Sequence, residues 1–302
     1  MKMSKIRGII ILFIVATIWG FAFVAQSSSV DLIPTFTINF LRSIFAFVAL
    51  VVFSLIKNKV HKKEEVKCDK KLLLKAGVLS GVFLFIATNI QQFGISFTTA
   101  GKAGFITALY IIFVPIIGLF LKKKVGLNIW ISVVLAIAGF YFLTIFGSNE
   151  VIIGKGELAI LICAVFFALQ IIVVDKYVKD VDGVKLSIVQ FAVMSILSFI
   201  PMLFEKASIE NIIKAMPSLL YLGVISSGVG YTLQIIGQKD VNPTVASLIM
   251  SLEAVFSVVF GAIVLKEALN MSEILGCVLI FSGVVLSQIA FEKNKKVENG
   301  KI

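Results

Sequence analysis

Two ionisable residues stand inside long apolar stretches of this chain, Arg42 and Glu253. A buried guanidinium is chemistry for holding a carboxylate, and a buried carboxylate is chemistry for an ammonium group or a proton. A charge near the centre of a bilayer costs about 2.5 to 3.5 kcal/mol on insertion scales, so each is a functional candidate by default. The alternative for each is a packing role, with the charge tied to backbone carbonyls or serine hydroxyls. Uncharged polar groups recur around them at helical spacing. Thr35, Asn39 and Arg42 share one face. Asn89, Gln92 and Ser96 share another, with Gln91 beside it, and Ser227, Tyr231, Gln234 and Gln238 share a third. Gln170 and Gln190 add two more amides. One buried glutamine ordinarily ties two helices for about 0.6 kcal/mol. So many, spread along the whole chain, describe a polar cavity. Trp19 suits either the core or a wall of that cavity.

Other chemistries fall away. Gly101-Lys102 is followed by Ala103 and lacks the upstream spacing of a phosphate-binding loop, which excludes ATP-driven pumping by this chain. The single histidine, His61, sits in a Lys-rich connection, so no apolar stretch can host a His-based metal site or a Ser/His dyad. Cys68, Cys163 and Cys277 share no metal or redox spacing. No metal and no cofactor are expected. A membrane-embedded enzyme and a non-transporting scaffold stand as the alternatives to a transport role.

The elements that must position these groups follow from composition. The 302 residues are 59% hydrophobic and 15% charged, with a mean hydropathy of +1.05. Soluble chains run near half apolar and a quarter charged. Ten apolar stretches fall at about 8–26, 34–56, 72–96, 100–121, 127–147, 156–175, 185–204, 217–237, 243–265 and 270–291. Each has about the 20 residues that a helix needs to cross roughly 30 Å of hydrocarbon. The first follows Lys2, Lys5 and Arg7 but is long for a signal core, and Phe23-Val24-Ala25 is a poor cleavage site, so it reads as a span. Pro34, Pro217 and Pro243 read as helix starts, with Asn242 a cap before Pro243. Pro115 reads as a kink that frees the carbonyl of Ile111. Arg42 then lies roughly 12 Å below the outer face and Glu253 near the midplane, at 1.5 Å per residue. Both can face one cavity and attract each other.

With the amino terminus on the cytoplasmic side, 22 of the 28 Lys and Arg fall in inside segments and five in outside segments, and Arg42 alone lies within a span. That bias supports ten spans with both ends inside, and it accounts for the net charge of +11 without a nucleic-acid partner. An internal repeat points the same way. Shifted by 143 residues, Gln91 to Lys123 falls on Gln234 to Lys266, pairing Gln91 with Gln234, Gly94 with Gly237 and Gly118 with Gly261. A one-residue gap in the next loop then pairs Gly139 with Gly283. Five spans per half is an odd number, so the second copy enters the membrane from the opposite side.

The strings themselves resemble a known family. Ile90-Gln91-Gln92-Phe93-Gly94-Ile95, Thr98-Thr99-Ala100-Gly101-Lys102-Ala103-Gly104-Phe105-Ile106-Thr107-Ala108-Leu109-Tyr110 and Val114-Pro115 are similar to the first half of EamA-like permeases of the drug/metabolite transporter superfamily. Tyr231-Thr232-Leu233-Gln234, Asn242-Pro243-Thr244-Val245-Ala246-Ser247-Leu248 and Ser251-Leu252-Glu253 are similar to the second, and Trp19-Gly20 and Arg42 fit the pattern. The resemblance implies a ten-helix, two-repeat carrier with a central cavity, most members exporting amino acids and other small metabolites. It also implies that Arg42, Gln91, Tyr110, Gln234 and Glu253 lie toward that cavity. Where the family often has Pro after the glutamate this chain has Ala254, so the ninth helix is expected to be straighter than the fourth.

The expectation is therefore an all-α membrane protein, with ten transmembrane helices as two inverted five-helix repeats over residues 1–147 and 154–291 and a cytoplasmic tail over 292–302. It is expected to be a secondary, ATP-independent exporter of small metabolites working by alternating access in the cytoplasmic membrane. Its site residues are expected to be Trp19, Asn39, Arg42, Gln91, Tyr110, Tyr231, Gln234 and Glu253. Its partners are a small-molecule substrate and the lipid bilayer, with protons as a candidate coupling ion.

Overall fold

Helix limits in this chain are set by side-chain caps at the ends of apolar runs. Asp69 accepts the amide of Lys71 at 2.9 Å, Asp182 that of Lys185 at 2.9 Å, Ser208 that of Asn211 at 3.1 Å and Asn242 that of Thr244 at 3.0 Å. Each satisfies an amide that has no partner within the first helical turn. The computed structural model describes residues 2–60, 69–123, 125–144, 146, 154–264, 266 and 270–298. The Lys-rich connection with His61 and Cys68, and Glu267, lie outside the described residues.

Ten helices follow: α1 (Lys2–Val30), α2 (Thr35–Val60), α3 (Lys70–Ile95), α4 (Ala100–Phe120), α5 (Leu127–Thr144), α6 (Lys155–Tyr177), α7 (Gly183–Met202), α8 (Ile209–Gln238), α9 (Pro243–Val264) and α10 (Met271–Glu298). Eight are long and apolar enough to cross a membrane, and α5 and α10 contain the shorter apolar stretches Leu127–Phe142 and Ile274–Ser287. The described residues include no strand.

Packing runs mainly between the halves. Helix α1 lies against α8 and α9, α2 against α7 and α8, α3 against α6 and α7, α4 against α6 and α9, and α5 against α10. Exchanging α1–α5 with α6–α10 carries the α1/α9 contact onto α6/α4, α1/α8 onto α6/α3 and α2/α8 onto α7/α3. It leaves α2/α7 and α5/α10 unchanged. The contact pattern thus has the two-fold exchange symmetry of two inverted repeats. Small residues permit the close approaches: a Cβ at Gly77 would fall 2.3 Å from Val189 Cγ1, and one at Gly20 would fall 2.3 Å from Phe256 Cβ. The first turn of α2 is capped from the other half, where Glu205 accepts the amides of Phe36 at 3.0 Å and Thr37 at 2.7 Å.

Four expectations are corrected. Helix α8 starts at Ile209, so Pro217 lies inside it rather than at its start. Its first turns carry the exposed Glu210–Lys214 pair at 2.7 Å, and these charges hid a helix that continues beyond the apolar run. Helix α4 is interrupted at Leu109, six residues before Pro115. Helix α9 is interrupted as well, at Ser251–Leu252, although Ala254 stands where the family often has a proline, so the two helices break at matched places. The tight turns correspond: Leu109 N donates to Ile106 O and Leu252 N to Ile249 O, both at 3.2 Å and 143 residues apart. Finally, α4 and α9 are followed by left-handed lysines, Lys122 with φ 59° and Lys266 with φ 56°. These are 144 apart, so the one-residue gap falls between Gly118 and Lys122 rather than in the following loop.

The α5/α10 contact yields a paired prediction. A Cβ at Gly139 would meet Gly276 O at 2.6 Å and Ile280 N at 2.9 Å, both backbone atoms, whereas at Gly118 the nearest atom is 3.9 Å away. Gly139→Val is expected to cost about 1–3 kcal/mol by overpacking and to lower the Tm in detergent. Gly118→Ala is expected to leave the Tm unchanged or raise it, since alanine is the better helix former.

Candidate substrate cavity

Breaks in two crossing helices create the site. The first part of α4 packs on the second part of α9 and the second part of α4 on the first part of α9, so the interruptions lie close together in the bundle. Tyr110 and Glu253 are the first residues after the two breaks, at equivalent positions of the repeat. Both line a cavity with Trp19, Ala22, Phe23 and Gln26 of α1, Arg42 of α2 and Gln91 of α3. Thr107 of α4, Phe167 of α6, and Ser226 and Tyr231 of α8 complete its wall. The cavity has a volume of about 30 Å3, at about 10–15 Å3 per water room for about two, so a metabolite requires the helices to part.

Arg42 is 3% exposed and is held by neutral groups. Its Nε donates to Ser227 Oγ at 3.0 Å and its Nη1 to Gln26 Oε1 at 3.3 Å. Ser227 belongs to a π-helical segment of α8, Tyr221–Tyr231, a rare geometry that frequently occurs at functional sites. The same segment supplies the Ser226 carbonyl that accepts Trp19 Nε1 at 3.2 Å, and it carries Tyr231, whose ring centroid lies 4.7 Å from that of Trp19. Gly230 is required there, since a Cβ would fall 2.8 Å from Trp19 Nε1. Gln91 Nε2 donates to Thr107 Oγ1 at 2.9 Å.

Glu253 is 3% exposed and, among the described residues, forms no ion pair within 4 Å. The expected Arg42–Glu253 attraction is therefore not a contact. Tyr231 lies within electrostatic reach of both. Tyr110 is a hydrogen-bonding neighbour of Glu253, but the contact is not well formed, and Tyr110 Oη, Glu253 Oε1 and Ser226 Oγ are buried atoms of cavity-lining residues without a hydrogen bond of good geometry. No cluster of His, Cys, Asp or Glu able to hold a metal occurs among the described residues.

Six of the eight residues expected at the site line the cavity, and two do not. Asn39 donates to Thr88 O at 3.3 Å and Asn89 Oδ1 at 3.0 Å, tying α2 to α3. Gln234 exchanges hydrogen bonds with Gln170, at 3.0 and 3.5 Å. Tyr231 lines the cavity, while Gln234, three residues on, bonds α6. Sequence reasoning passed over Gln26, whose only signal was an amide at the end of the first apolar stretch. It also passed over Thr107, although it stands in a family-like string, and Ser226.

Ten apolar helices in two inverted halves around a small charged cavity define a multi-pass membrane protein of the transporter type. The model of the EamA-like transporter family matches residues 6–145 and 154–288, and the chain belongs to that family. A relative from Archaeoglobus fulgidus named an uncharacterized transporter is 29% identical over 274 residues, 90% of this chain and 83% of its own. The uncharacterized transporter YoaV of Bacillus subtilis is 26% identical over 291 residues, 93% and 96% of the two chains. A solved crystal structure matches with a TM-score of 0.76 at 15% identity, covering 95% of this chain and 98% of that one, which shows a common fold.

Glu253 is a carboxyl group with a buried oxygen that lacks a well-formed hydrogen bond, and that costs stability. Glu253→Gln, which keeps the shape and removes the charge, is expected to raise the Tm of the purified protein in neutral buffer by a few degrees, read by thermal unfolding in detergent. An unchanged or lower Tm would show the carboxyl to be well accommodated.

Proposed function

We propose that this member of the EamA-like transporter family is a secondary, ATP-independent exporter of small amphipathic metabolites, amino acids or related compounds. Two five-helix halves, 1–147 and 154–291, rock about the cavity in alternating access. The chain resides in the cytoplasmic membrane with both termini and the tail 292–302 on the cytoplasmic face, as the distribution of Lys and Arg favours. The observation that carries the reading is a buried guanidinium and a buried carboxyl that line one cavity without pairing. A substrate bearing a carboxylate and an ammonium group completes both. Arg42 binds the carboxylate and Glu253 the ammonium group or a proton. Gln91, Tyr110 and Tyr231 supply neutral hydrogen bonds, and Trp19 forms an aromatic wall. Asn39 and Gln234 support the helices behind it.

Transport is preferred to catalysis because the relatives are named as transporters and the polar groups lie between halves that interlock symmetrically. Proton coupling runs through Glu253. A proton entering from the acidic outer side neutralises the carboxyl and releases the ammonium group outward, and the substrate's ammonium group displaces the proton on the cytoplasmic side.

Reconstituted protein with a labelled metabolite panel provides the test. Efflux is expected to accelerate when the outer side is made acidic. Glu253→Gln is expected to lose at least tenfold of that pH-driven component. Arg42→Ala is expected to raise the KM for carboxylate-bearing substrates at least tenfold while the protein still inserts and binds lipid. Chemical conversion of the substrate instead of its relocation, or pH-driven flux unchanged in Glu253→Gln, overturns the respective part of the reading.

A further inference from the structure

One pair of matched helices differs in length between the halves. Exchange of the repeats carries α3 onto α8, and close backbone approaches mark corresponding levels on both. A Cβ at Gly81 would meet Gln190 O at 2.7 Å and Val193 Cβ at 2.8 Å, and one at Gly223 would meet Arg42 O at 3.1 Å and Phe45 Cβ at 2.6 Å. Helices α2 and α7 start at Thr35 and Gly183, an offset of 148 that places Arg42 on Gln190 and Phe45 on Val193. Gly81 therefore corresponds to Gly223. At a second level, a Cβ at Gly156 would meet Gly94 O at 2.9 Å, and one at Gly8 would meet Gly237 O at 2.9 Å. Gly8 and Gly156 are again 148 apart, so Gly94 corresponds to Gly237. From Gly81 to Gly94 is 13 residues, and from Gly223 to Gly237 is 14.

The surplus residue has a visible place. Helix α3 is α-helical from Lys70 to Ile95, whereas α8 is π-helical over Tyr221–Tyr231. A π turn bonds i to i+5 and so takes up one residue more than an α turn. What faces the two helices also differs. Arg42 and Trp19 both bond the π segment, Nε to Ser227 Oγ and Nε1 to Ser226 O. At the offset of 148 their counterparts are Gln190 and Phe167. Phenylalanine has no N–H to donate. Gln190 Oε1 accepts from Gln170 of α6 at 3.2 Å, and its Nε2 has no partner. Neither side chain bonds α3, and α3 has no π segment.

From this asymmetry we infer that α8 contains a one-residue insertion relative to its counterpart, that the π segment absorbs it, and that it makes Ser227 the positioning residue of Arg42. The inference rests on the carrier reading only for what the guanidinium binds. With Nε held by Ser227 and Nη1 by Gln26 Oε1, Nη2 has no protein partner among the described residues. A carboxylate is therefore met at the Nη end of the group, because Ser227 occupies the Nε edge. Removing one residue from the segment returns α8 to the α-helical register of α3 and withdraws Ser227 from Arg42. The guanidinium is then free to turn, and a carboxylate must order it on binding.

The test compares deletion of the exposed Val229, inside the π segment, with deletion of Ile86, between the two markers on α3. Without Val229 the protein is expected to fold with a Tm within a few degrees of the parent's. Without Ile86, where no residue is spare, it is expected to misfold or to lose far more. In a chain carrying Trp130→Phe, Trp19 is the sole tryptophan. Its emission is expected to move to shorter wavelength on deletion of Val229, which breaks the Nε1 bond, and to stay in place in Ser227→Ala, which keeps the Ser226 carbonyl. Flux is measured in proteoliposomes with labelled amino acids, each paired with the amine of the same side chain. Deletion of Val229 and Ser227→Ala are each expected to raise the KM for the amino acid at least fivefold with kcat little changed, and to leave the KM for the amine unmoved. In an Arg42→Ala background they are expected to raise it no further, since both act through Arg42. A Val229 deletion as damaging as that of Ile86, or one that leaves the Trp19 emission in place, overturns the insertion. An unmoved KM, or one raised equally with Arg42 absent, overturns the positioning role. A parent that moves no amino acid sinks the carrier reading instead, and the Tm and emission then decide on the insertion by themselves.

Discussion

A guanidinium and a carboxyl group share one small buried cavity without pairing with each other, and the helices around them are arranged to hold that unpaired state. Taking an ion out of water costs several kcal/mol even after relaxation. Direct pairing would be the simplest compensation and would also seal the cavity. Here Arg42 is instead compensated by neutral oxygens from two other helices, Ser227 of α8 and Gln26 of α1, and Tyr231 lies within reach of both charges. The π-helical turn serves this purpose, since it presents Ser227 to Arg42, the Ser226 carbonyl to Trp19 and the Tyr231 ring to the cavity within one segment. Glu253 receives less. An arrangement compensated on one side and deficient on the other is electrostatically complete only when a further group enters.

The packing explains how such a site can also move. Most interhelical contacts run between the halves, so neither half buries its apolar surface alone, and the cavity lies where the broken helices α4 and α9 cross. The contacts are of two physical kinds. Glycine-mediated approaches such as Gly139 on Gly276 bring backbone against backbone and permit little sliding. Side-chain hydrogen bonds between the halves, such as Arg42 of α2 to Ser227 of α8, can exchange partners at small cost. Motion between the halves is therefore expected to be taken up where side-chain hydrogen bonds, not glycines, bridge them, and α5 with α10 acts as the fixed seam.

Much of this was legible in the sequence because hydrocarbon admits few solutions. The ten spans, the odd repeat and the two charges stood out against apolar surroundings, and Arg42, Tyr110 and Glu253 do line one cavity. What the sequence hid has specific causes. The outer turns of α8 are amphipathic, so the apolar run understated the helix by eight residues. The breaks at Leu109 and Ser251–Leu252 carry no glycine or proline, and the prominent Pro115 pointed to the wrong place. Gln234 was grouped with Gln91 because the repeat aligns them, but Gln91 bonds Thr107 and lines the cavity, whereas Gln234 bonds Gln170 of α6. The carbonyl that positions Trp19 could not be read from side-chain identities at all.

The residues that differ between the repeats are as informative as those that agree. Tyr110 and Glu253 occupy the same place after the same break, yet one is a neutral phenol and the other a carboxyl. The guanidinium likewise comes from α2 of the first half only. A carrier with two chemically identical halves would have end states of equal energy and a site presenting the same charge twice. Divergence at matched positions removes both constraints at once. It places opposite charges on opposite halves, Arg42 on the first and Glu253 on the second. The contact pattern retains the inversion symmetry of the repeats, while the side chains at Tyr110 and Glu253 and at Arg42 break it.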